Sequence, residues 1–453
     1  MNRKKFIKSI GKRILSEMND LKRTKTALAN DINIDVKFLE KVISGNCELE
    51  DSFYLIGKIG SFYSIDASDL YLLENDCLNA VKIMRSADSI KSSRVFKRIN
   101  KNKIRTPYYE YQDTAMSRIS SYKPEWIRQL RIVENNDPYN PDVIYNNGHF
   151  MHQTTFFIGP VNFYWEVNGK KYCQEMNTGD SNYITPYWPH SFTSRDPKQK
   201  AYILAITFGG EARRAQKELY ALGDKCKNYV LEYRNNTVAI KQLIKQHMLN
   251  ENLTIENLID LAILKSIEID IRNILEMDGE INNNDLSKIA LLLNIELEDL
   301  LIPLYRPEDE VVIKISDAKN KYNFPNDKNI SYRIEPLART SKMPLMKGFS
   351  FEVLNSTKEN NLITSLHSYV YNYGSSDVIL SWEDKGHFFT EIIHSHDSFY
   401  MEPFVKHGFS CLNEDGKLYV VRIPGSVNLV TQRELSYMPN IDRVFDETKQ
   451  WFD

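Results

Sequence analysis

The chain has 453 residues, of which 42% are hydrophobic and 26% charged, ordinary values for globular domains with a sizeable core. A formal net charge of −2 gives no strong field that would draw the protein to nucleic acid or to an anionic membrane. Five scattered cysteines without a CxxC pair argue against both a disulfide framework and a zinc–thiolate site.

The first predicted elements are helices. Apolar residues at helical spacing predict a helix over residues 4–19, in a basic segment that lacks the apolar core of a signal peptide. No apolar stretch reaches the roughly 20 residues of a membrane span, so we expect a cytoplasmic protein without membrane contact. TKTALANDI, the turn NIDV and KFLEKVISGN, which stops at Gly45, then follow in the order of a helix-turn-helix.

Predicted strands come next. β-Branched and aromatic residues around the hairpin turn Asn168-Gly169 predict antiparallel strands in HQTTFFIGPVNFYWEVNGKKYCQEM, and KAYILAITFGG closes the sheet. A second helical stretch, NLTIENLIDLAILKSIEIDIRNILEMDGE, ends at Gly279 and precedes strands that close with KLYVVRIPG. Short strands between Gly, Asn and Pro turns favour small antiparallel barrels or jelly rolls.

Three pairs of similar segments indicate that the chain contains two copies of one unit. Residues 180–192 (DSNYITPYWPHSF) match 397–409 (DSFYMEPFVKHGF), and 145–153 (YNNGHFMHQ) match 371–379 (YNYGSSDVI). The third match is helical and pairs two sets of positions, Ile56, Lys58, Ile59, Ile65, Asp69 and Leu70 with Leu286, Lys288, Ile289, Ile295, Asp299 and Leu300.

We therefore predict an α+β fold built as a tandem repeat. All-α, helix-turn-helix-like domains are expected at residues 1–100 and 213–310, and jelly-roll β-barrels at residues 101–212 and 311–453.

Three side chains of the first predicted barrel could bind one metal ion. His149 starts a strand, Gln153 lies four residues on, and His190 follows Pro189 at a later hairpin. Two neutral imidazoles and one oxygen donor, with open positions beside them, suit non-haem Fe(II), and the spacing resembles the cupin metal motif. Alternation along a strand turns His152 away and returns Gln153 to the face of His149. An ordinary hydrogen-bonding role for Gln153, with His152 or water as ligand, stays open.

The second predicted barrel lacks this set. In the repeat alignment, Ser375 and Ile379 replace the first two ligands, and the third keeps a counterpart in His407. We therefore expect a degenerate barrel without metal. His394 and His396 form a weaker rival site, which we interpret as a solvated turn.

The segments NNGHFMHQTTFF and PYWPHSF, preceded by PYYEYQ and by the helix-turn-helix, resemble the iron-dependent phosphonate oxygenases. The resemblance covers essentially the whole chain, since some members of that family are tandem repeats of a helix-plus-cupin unit. Members with a carboxylate ligand carry Glu either four residues after the first His or six before the second. Here Gln153 and Ile184 stand at those positions, so the ligand set resembles the members that form methylphosphonate.

The resemblance implies an Fe(II)-dependent oxygenase that cleaves the carbon–carbon bond of 2-hydroxyethylphosphonate with O2. Gln153 together with Ile184 favours methylphosphonate and carbon dioxide or bicarbonate as products, with formate as a hydrogen donor to the late intermediate. The alternative is a dioxygenase that gives hydroxymethylphosphonate and formate.

The same resemblance implies a phosphonate pocket beside the iron ligands, His190 included. Asn146 and Tyr111, with Tyr109 beside it, are expected to hydrogen-bond the substrate, although Tyr109 could equally be core. An arginine upstream of the tyrosines is expected; Arg105 is the nearest, and Lys103 is the alternative.

Lys22 matches the family lysine that reaches from a helical domain into the active site, so Lys22 and Tyr111 are the expected catalytic side chains. Asn252 stands at the position of Lys22 in the second repeat, so the lysine is lost together with the metal ligands. Exchange of helical domains across repeats would let Lys22 cap the site from outside its own barrel, and a solvated surface lysine is the alternative. Lys406 is a weaker second cation.

A transcription regulator that joins a helix-turn-helix to a cupin sensor is the alternative of another class. DNA binding requires cationic side chains on the recognition helix. KFLEKVISGN carries two lysines and a glutamate, and DIRNILEMDGE is acidic, so nucleic acid is not expected as a partner. Whether the chain forms a homo-oligomer stays open.

Overall fold

The structure is a computed structural model that describes residues 3–120, 122–277, 281–325, 330–354, 362–411 and 414–446. Gly279, the predicted end of the second helical stretch, lies outside these residues.

Helices occupy two long stretches and the C-terminal part of the chain. The first stretch contains five α-helices: α1 Arg3–Asp20, α2 Lys25–Asp31, α3 Val36–Ile43, α4 Leu49–Phe62 and α5 Ser86–Lys91. The second contains six: α6 Glu211–Arg214, α7 Gln216–Leu222, α8 Asn236–Asn250, α9 Ile255–Leu264, α10 Ile271–Glu276 and α11 Asn283–Leu293. Two more, α12 Leu429–Ser436 and α13 Asp442–Asp446, follow the last strand.

Polar caps explain where the helix-turn-helix helices begin. The side chains of Thr24 and Asp35 accept hydrogen bonds from backbone N–H groups in the first turns of α2 and α3. Such caps satisfy donors that a helix leaves unpaired at its start. The apolar faces of α1 to α4 then pack into one buried cluster that includes Ile10, Leu28 and Leu39.

The described residues also contain twenty strands. The first ten are β1 Val81–Met84, β2 Arg94–Ile99, β3 Arg105–Asp113, β4 Lys123–Gln129, β5 His152–Ile158, β6 Val161–Val167, β7 Lys170–Met176, β8 Ser181–Ile184, β9 His190–Ser194 and β10 Tyr202–Phe208. The other ten are β11 Val311–Lys314, β12 Tyr322–Phe324, β13 Tyr332–Pro336, β14 Lys347–Val353, β15 His367–Asn372, β16 Val378–Asp384, β17 His387–Ile393, β18 Ser398–Met401, β19 Lys406–Cys411 and β20 Gly416–Ile423.

The strands form two pairs of antiparallel sheets. In the first pair, a seven-stranded sheet of order β11-β8-β5-β10-β4-β3-β2 accompanies the three-stranded sheet β7-β6-β9. In the second pair, β1-β18-β15-β20-β14-β13-β12 accompanies β17-β16-β19. We call these pairs the first and the second barrel. Each encloses its own apolar core, and aromatic side chains of the two large sheets pack together between them, as where Phe156 stacks on Tyr419 with ring centroids 5.1 Å apart.

Each large sheet takes an edge strand from the other half of the chain. β11 pairs with β8 of the first barrel, and β1 pairs with β18 of the second. A buried aspartate fixes each exchange: Asp180 accepts the backbone N–H of Ser316 at 2.8 Å, and Asp397 accepts that of Ser86 at 2.7 Å. Residues 1–100 are therefore not all helical, because β1 and β2 lie within them.

Strand register corrects one of the three repeat matches. The match of residues 145–153 with 371–379 is wrong, because Tyr371 lies inside β15, opposite Ser398, whereas Tyr145 precedes β5. Gln153 lies opposite Ile184 in the first barrel, and Ser368 lies opposite Met401 in the equivalent place of the second. The incorrect match rested on three identical residues in these segments. The correct alignment depends on strand register, which is set by pairing between strands and is not visible in local sequence.

The matches of 180–192 with 397–409 and of the helical positions agree with the structure. Short 3-10 helices, for example, occupy Ala67–Leu70 and Leu297–Leu300. Among the described residues, no helix is long and apolar enough to cross a membrane.

Asp180→Ala should lower the free energy of unfolding by about 1–3 kcal/mol, because it removes the buried carboxylate that accepts from the N–H groups of Asn177 and Ser316. The exposed ion pair of Asp224 with Lys227 offers a control, since Asp224→Ala should cost less than about 1 kcal/mol. Urea unfolding of both variants measures the difference. Equal losses would show that Asp180 does not secure the exchanged strand.

Candidate functional site

Three donor atoms converge inside the first barrel. The Nε2 atom of His149 lies 3.2 Å from Oε1 of Gln153, and the rings of His149 and His190 have centroids 5.2 Å apart. No group of three or more His, Cys, Asp or Glu side chains within the described ranges could hold a metal ion. A metal at this point would therefore need the amide oxygen of Gln153 as its third protein ligand.

Backbone carbonyls fix both imidazoles. Nδ1 of His149 lies 3.0 Å from the carbonyl oxygen of Met151, and Nδ1 of His190 lies 2.9 Å from that of Trp188. Because a carbonyl only accepts, each Nδ1 carries the proton and each Nε2 presents a lone pair. Burial lowers the pKa of His190 to about 4, so its imidazole is neutral, as a metal ligand must be.

A hydrogen bond also turns the amide of Gln153 towards the histidines. The Nε2 group of Gln153 donates to Oγ1 of Thr155 at 3.0 Å, two residues along the same face of β5. Gln153 is 5% exposed, so its amide does not rotate in open solvent. Its oxygen is left pointing at His149. Thr155 was not singled out from the sequence, although the alternation of β5 places it beside Gln153.

Ile184 is the direct cross-strand neighbour of Gln153 and is 1% exposed. An acidic residue here would lie beside the amide on the same face of the sheet. The two positions at which the resemblance leads one to expect a carboxylate are therefore adjacent, and in this chain both are uncharged.

The loop before β5 is shaped by Gly148. Its φ is +70°, and a Cβ atom there would lie 2.4 Å from the backbone carbonyl of Tyr187, which a real side chain could not tolerate. Asn146 ties this loop to β9: its Oδ1 accepts from the backbone N–H of His190 at 2.9 Å, and its Nδ2 lies 3.0 Å from Nε2 of that histidine. Asn146 therefore reaches the immediate surroundings of the donor atoms.

Three tyrosines line the interior near this point. Tyr108 and Tyr109 are both buried, and a bulge opposite Phe96 explains why neighbouring residues share one face. The hydroxyl of Tyr109 accepts from the backbone N–H of Phe192 at 2.9 Å, and that of Tyr108 accepts from Ile144 at 3.1 Å. Tyr111 differs, since its hydroxyl has no hydrogen-bond partner in the described part of the chain. Burial raises its pKa, so it remains a donor at neutral pH.

The arginine at this site is Arg98, which was not predicted from the sequence. Its guanidinium carbon lies 4.8 Å from the ring centre of Tyr108 and 5.0 Å from that of Tyr109, and it donates to the carbonyl of Ile144. Its charge also contributes to the lowered pKa of His190. Arg105 and Lys103, the residues expected from the sequence, are exposed at the start of β3 and in the turn before it.

The other candidate histidines lie elsewhere, as expected. His152 faces the cluster between the barrels, where it bonds the hydroxyl of Tyr183 at 2.9 Å. His394 and His396 lie in a turn, bonded to Asp377 and Tyr371 respectively, so they do not form a joint site.

Lys22 lies after α1 on the first helical stretch, exposed, with its ammonium bonded to the carbonyls of Asn19 at 3.1 Å and Asp20 at 3.4 Å. It has a φ of +55°, and Asn252 has a φ of +56° at the equivalent place. Asparagine often adopts this left-handed conformation, whereas lysine rarely does. Lys406 is exposed at the start of β19.

In the second barrel only the last donor is kept. His407 lies opposite Trp382 as His190 lies opposite Trp165, and its Nδ1 also donates to a carbonyl two residues earlier. The counterpart of Gln153 is Ser368 and not Ile379. The counterpart of His149 is Thr364 and not Ser375, because Thr364 accepts from Phe404 as His149 accepts from Tyr187. Neither hydroxyl completes an iron site of the kind in the first barrel.

Comparisons with known proteins identify relatives of the whole chain. No family model matches the chain. The methylphosphonate synthase of Nitrosopumilus maritimus (strain SCM1) is 38% identical over an alignment of 461 positions, gaps included, which covers 98% of this chain and 95% of that protein.

Two solved structures are also similar. The Streptomyces albus 2-hydroxyethylphosphonate dioxygenase (HEPD) was solved with its substrate 2-hydroxyethylphosphonate and Fe(II) bound. It has a TM-score of 0.88 and 30% identity over 99% of both chains. PhpD with cadmium, complexed with hydroethylphosphonate, has a TM-score of 0.72 over 97% of this chain and 99% of its own, and at 15% identity it supports the fold alone.

Gly148→Ala should weaken Fe(II) binding at least tenfold, because the new Cβ would push the loop that carries His149 away from Tyr187. Gly169→Ala is the matched control, since Gly169 also has a positive φ, +78°, but no atom within 4 Å of its Cβ position. Anaerobic chelator competition gives both dissociation constants. The account of this loop fails if the two variants bind Fe(II) equally well.

Proposed function

The chain belongs to the methylphosphonate synthase family, and on that premise we propose that it is an Fe(II)-dependent oxygenase that converts 2-hydroxyethylphosphonate to methylphosphonate. The observation that carries this proposal is the site of two histidines and one glutamine, with Ile184 in place of a second-strand carboxylate. The reaction balances with one O2 consumed and with carbon dioxide and water released, or with the equivalent bicarbonate and a proton. The four electrons that reduce O2 come from the substrate.

The fold that supports this activity is, in our proposal, a tandem repeat of a helix-turn-helix-like domain and a cupin domain. The expected divisions are 1–100, 101–212, 213–310 and 311–453, with β1 and β2 belonging to sheets. The exchanged edge strands, the buried aspartates and the shared setting of His190 and His407 support two copies of one unit.

His149, Gln153 and His190 would hold the iron. The donor set fits, because carbonyl-bonded imidazoles are neutral and the amide oxygen carries a lone pair. When bound, Fe(II) supplies the one-electron chemistry that lets O2 react with an organic substrate. The protein supplies orientation and charge.

The neutral amide has an electrostatic consequence. A glutamine leaves the metal site one unit more positive than a glutamate would, and a dianionic phosphonate offsets that charge when it binds. With isoleucine at 184, the neighbouring strand adds no compensating carboxylate. The site is thus matched to an anionic substrate.

The phosphonate group would lie between the metal ligands and the tyrosines. Arg98 takes the role expected of Arg105, because its guanidinium lies over the rings of Tyr108 and Tyr109 while Arg105 is exposed. Asn146 can donate through its amide, and Tyr111 through a hydroxyl that has no other partner in the described chain. Tyr109 retains an O–H proton for the substrate or for Ser191. Charge-assisted bonds of this kind fix both position and orientation.

Lys22 is the proposed catalytic cation, which would have to reach the site from the first helical stretch. The left-handed backbone conformation at this position is costly for lysine and ordinary for asparagine, which is Asn252 in the second repeat. A lysine kept there despite that cost supports a functional role for its side chain. In this state its ammonium bonds backbone carbonyls at the end of α1, so acting on the substrate requires it to exchange those bonds.

The product test is direct. Full-length protein loaded with Fe(II) and supplied with 2-hydroxyethylphosphonate and O2 should give a methylphosphonate signal by phosphorus NMR. Hydroxymethylphosphonate with formate would make the chain a dioxygenase, the activity favoured by its similarity to the Streptomyces albus protein. No turnover of this substrate would refute both.

Arg98→Gln should raise the KM for 2-hydroxyethylphosphonate at least tenfold, since a charge-assisted hydrogen bond is worth about 1.5–3 kcal/mol. Arg105→Gln should change KM by less than about twofold, because that side chain is exposed at the start of β3. Steady-state oxygen consumption measures both. The reverse order would restore Arg105 as the phosphonate-binding residue.

A further inference from the structure

Two arginines share one ring inside the second barrel. The guanidinium carbons of Arg339 and Arg422 lie 5.1 Å and 5.4 Å from the ring centre of Phe349, which is 8% exposed. Arg422 is on β20 and faces the interior with Leu418 and Val420, which belong to the core of this barrel. Two like charges therefore meet at one buried aromatic side chain.

Neither arginine has an ion-pair partner among the described residues. Both side chains are half-buried, and their Nε atoms are inaccessible to solvent and have no hydrogen-bond partner within the described ranges. Burial lowers the pKa of both, and only the phenol of Tyr322 acts in the other direction. Stacking on one ring offsets only part of the cost of burying a charge, so an opposite charge is expected.

A further donor lies beside them. The hydroxyl of Ser368 is buried without a partner, and Ser368 lies directly opposite Arg422 in the pairing of β15 with β20. The equivalent pair in the first barrel is Gln153 opposite Thr207, next to the proposed iron. The second barrel therefore has guanidinium groups in the region where the first has a metal site.

We infer that the second barrel binds a small oxyanion, a phosphonate or phosphate group, between Arg339 and Arg422 with Ser368 as a further donor. Two guanidiniums offer several N–H groups in fixed planes, which suit a tetrahedral anion that accepts through separate oxygens. The site is non-catalytic, because the second barrel lacks the ligand set. The inference rests on the unpaired donors and holds whatever reaction the first barrel carries out.

The experiment is a titration of the metal-free full-length chain with inorganic phosphate and, separately, with methylphosphonate, at constant ionic strength, by isothermal titration calorimetry. All titrations use the Arg98→Gln chain as background, because this substitution removes the arginine of the proposed phosphonate pocket in the first barrel. The same substitution is the matched control, since Arg98 also stacks on aromatic rings. In that background a saturable site should remain. Adding Arg422→Gln or Arg339→Gln should weaken it at least tenfold.

The two anions distinguish the source of the ligand. Binding of both supports a general oxyanion site, and binding of methylphosphonate alone supports a site for the phosphonates of the first barrel. The inference is overturned if the Arg98→Gln chain binds neither anion saturably, or if its affinity survives both Arg422→Gln and Arg339→Gln.

Thermal unfolding separates anion binding from simple loss of structure. Without phosphate, Arg422→Gln should unfold no earlier than the unmodified chain, because it removes an unpaired buried charge. In the Arg98→Gln background, phosphate should raise the Tm with the logarithm of its concentration, and the further substitution Arg422→Gln should abolish that rise. A phosphate-independent Tm in the Arg98→Gln chain would contradict the inference even if the doubly substituted chain failed to fold.

Discussion

The site depends on three hydrogen bonds that aim three donor atoms at one point. Two backbone carbonyls hold the Nδ1 protons of His149 and His190, and Thr155 holds the amide of Gln153. Two features of the first barrel allow these bonds. Strand β5 places Gln153 and Thr155 on one face, and Gly148 lets the preceding loop approach the segment just before β9. Without this orientation, three side chains of the right type would still not form a metal site.

The repeat shows what remains when that constraint is relaxed. His407 keeps the carbonyl bond and the strand position of His190, so the frame persists where the other donors are gone. The same region has acquired Arg422 and Arg339, which carry permanent charge on the chain itself. Both barrels thus concentrate positive charge in corresponding regions, the first through the proposed metal and the second through guanidinium groups. In our proposals, both regions bind an anionic phosphonate or phosphate group.

Local spacing predicted the donor set but not its surroundings. His149, Gln153 and His190 could be grouped because a four-residue step on a strand returns to one face. Lys22 was expected from the family resemblance, and Asn252 could be aligned with it because the helical repeat is ungapped. Arg98 could not be found in this way, since the bulge opposite Phe96 shifts the register between β2 and β3 and so breaks the count from the tyrosines. The exchange of β1 and β11 and the true partner of Gln153 were likewise out of reach, because both depend on pairing between distant segments.

X-ray absorption at the iron edge of the Fe(II)-loaded full-length chain tests this account most directly, because it counts imidazole ligands around the metal. We predict one iron per chain with two imidazoles, and the same count and iron content in His407→Ala. Three imidazoles on the iron, or iron lost on substitution of His407, would contradict the assignment of a single site of two histidines and one glutamine in the first barrel.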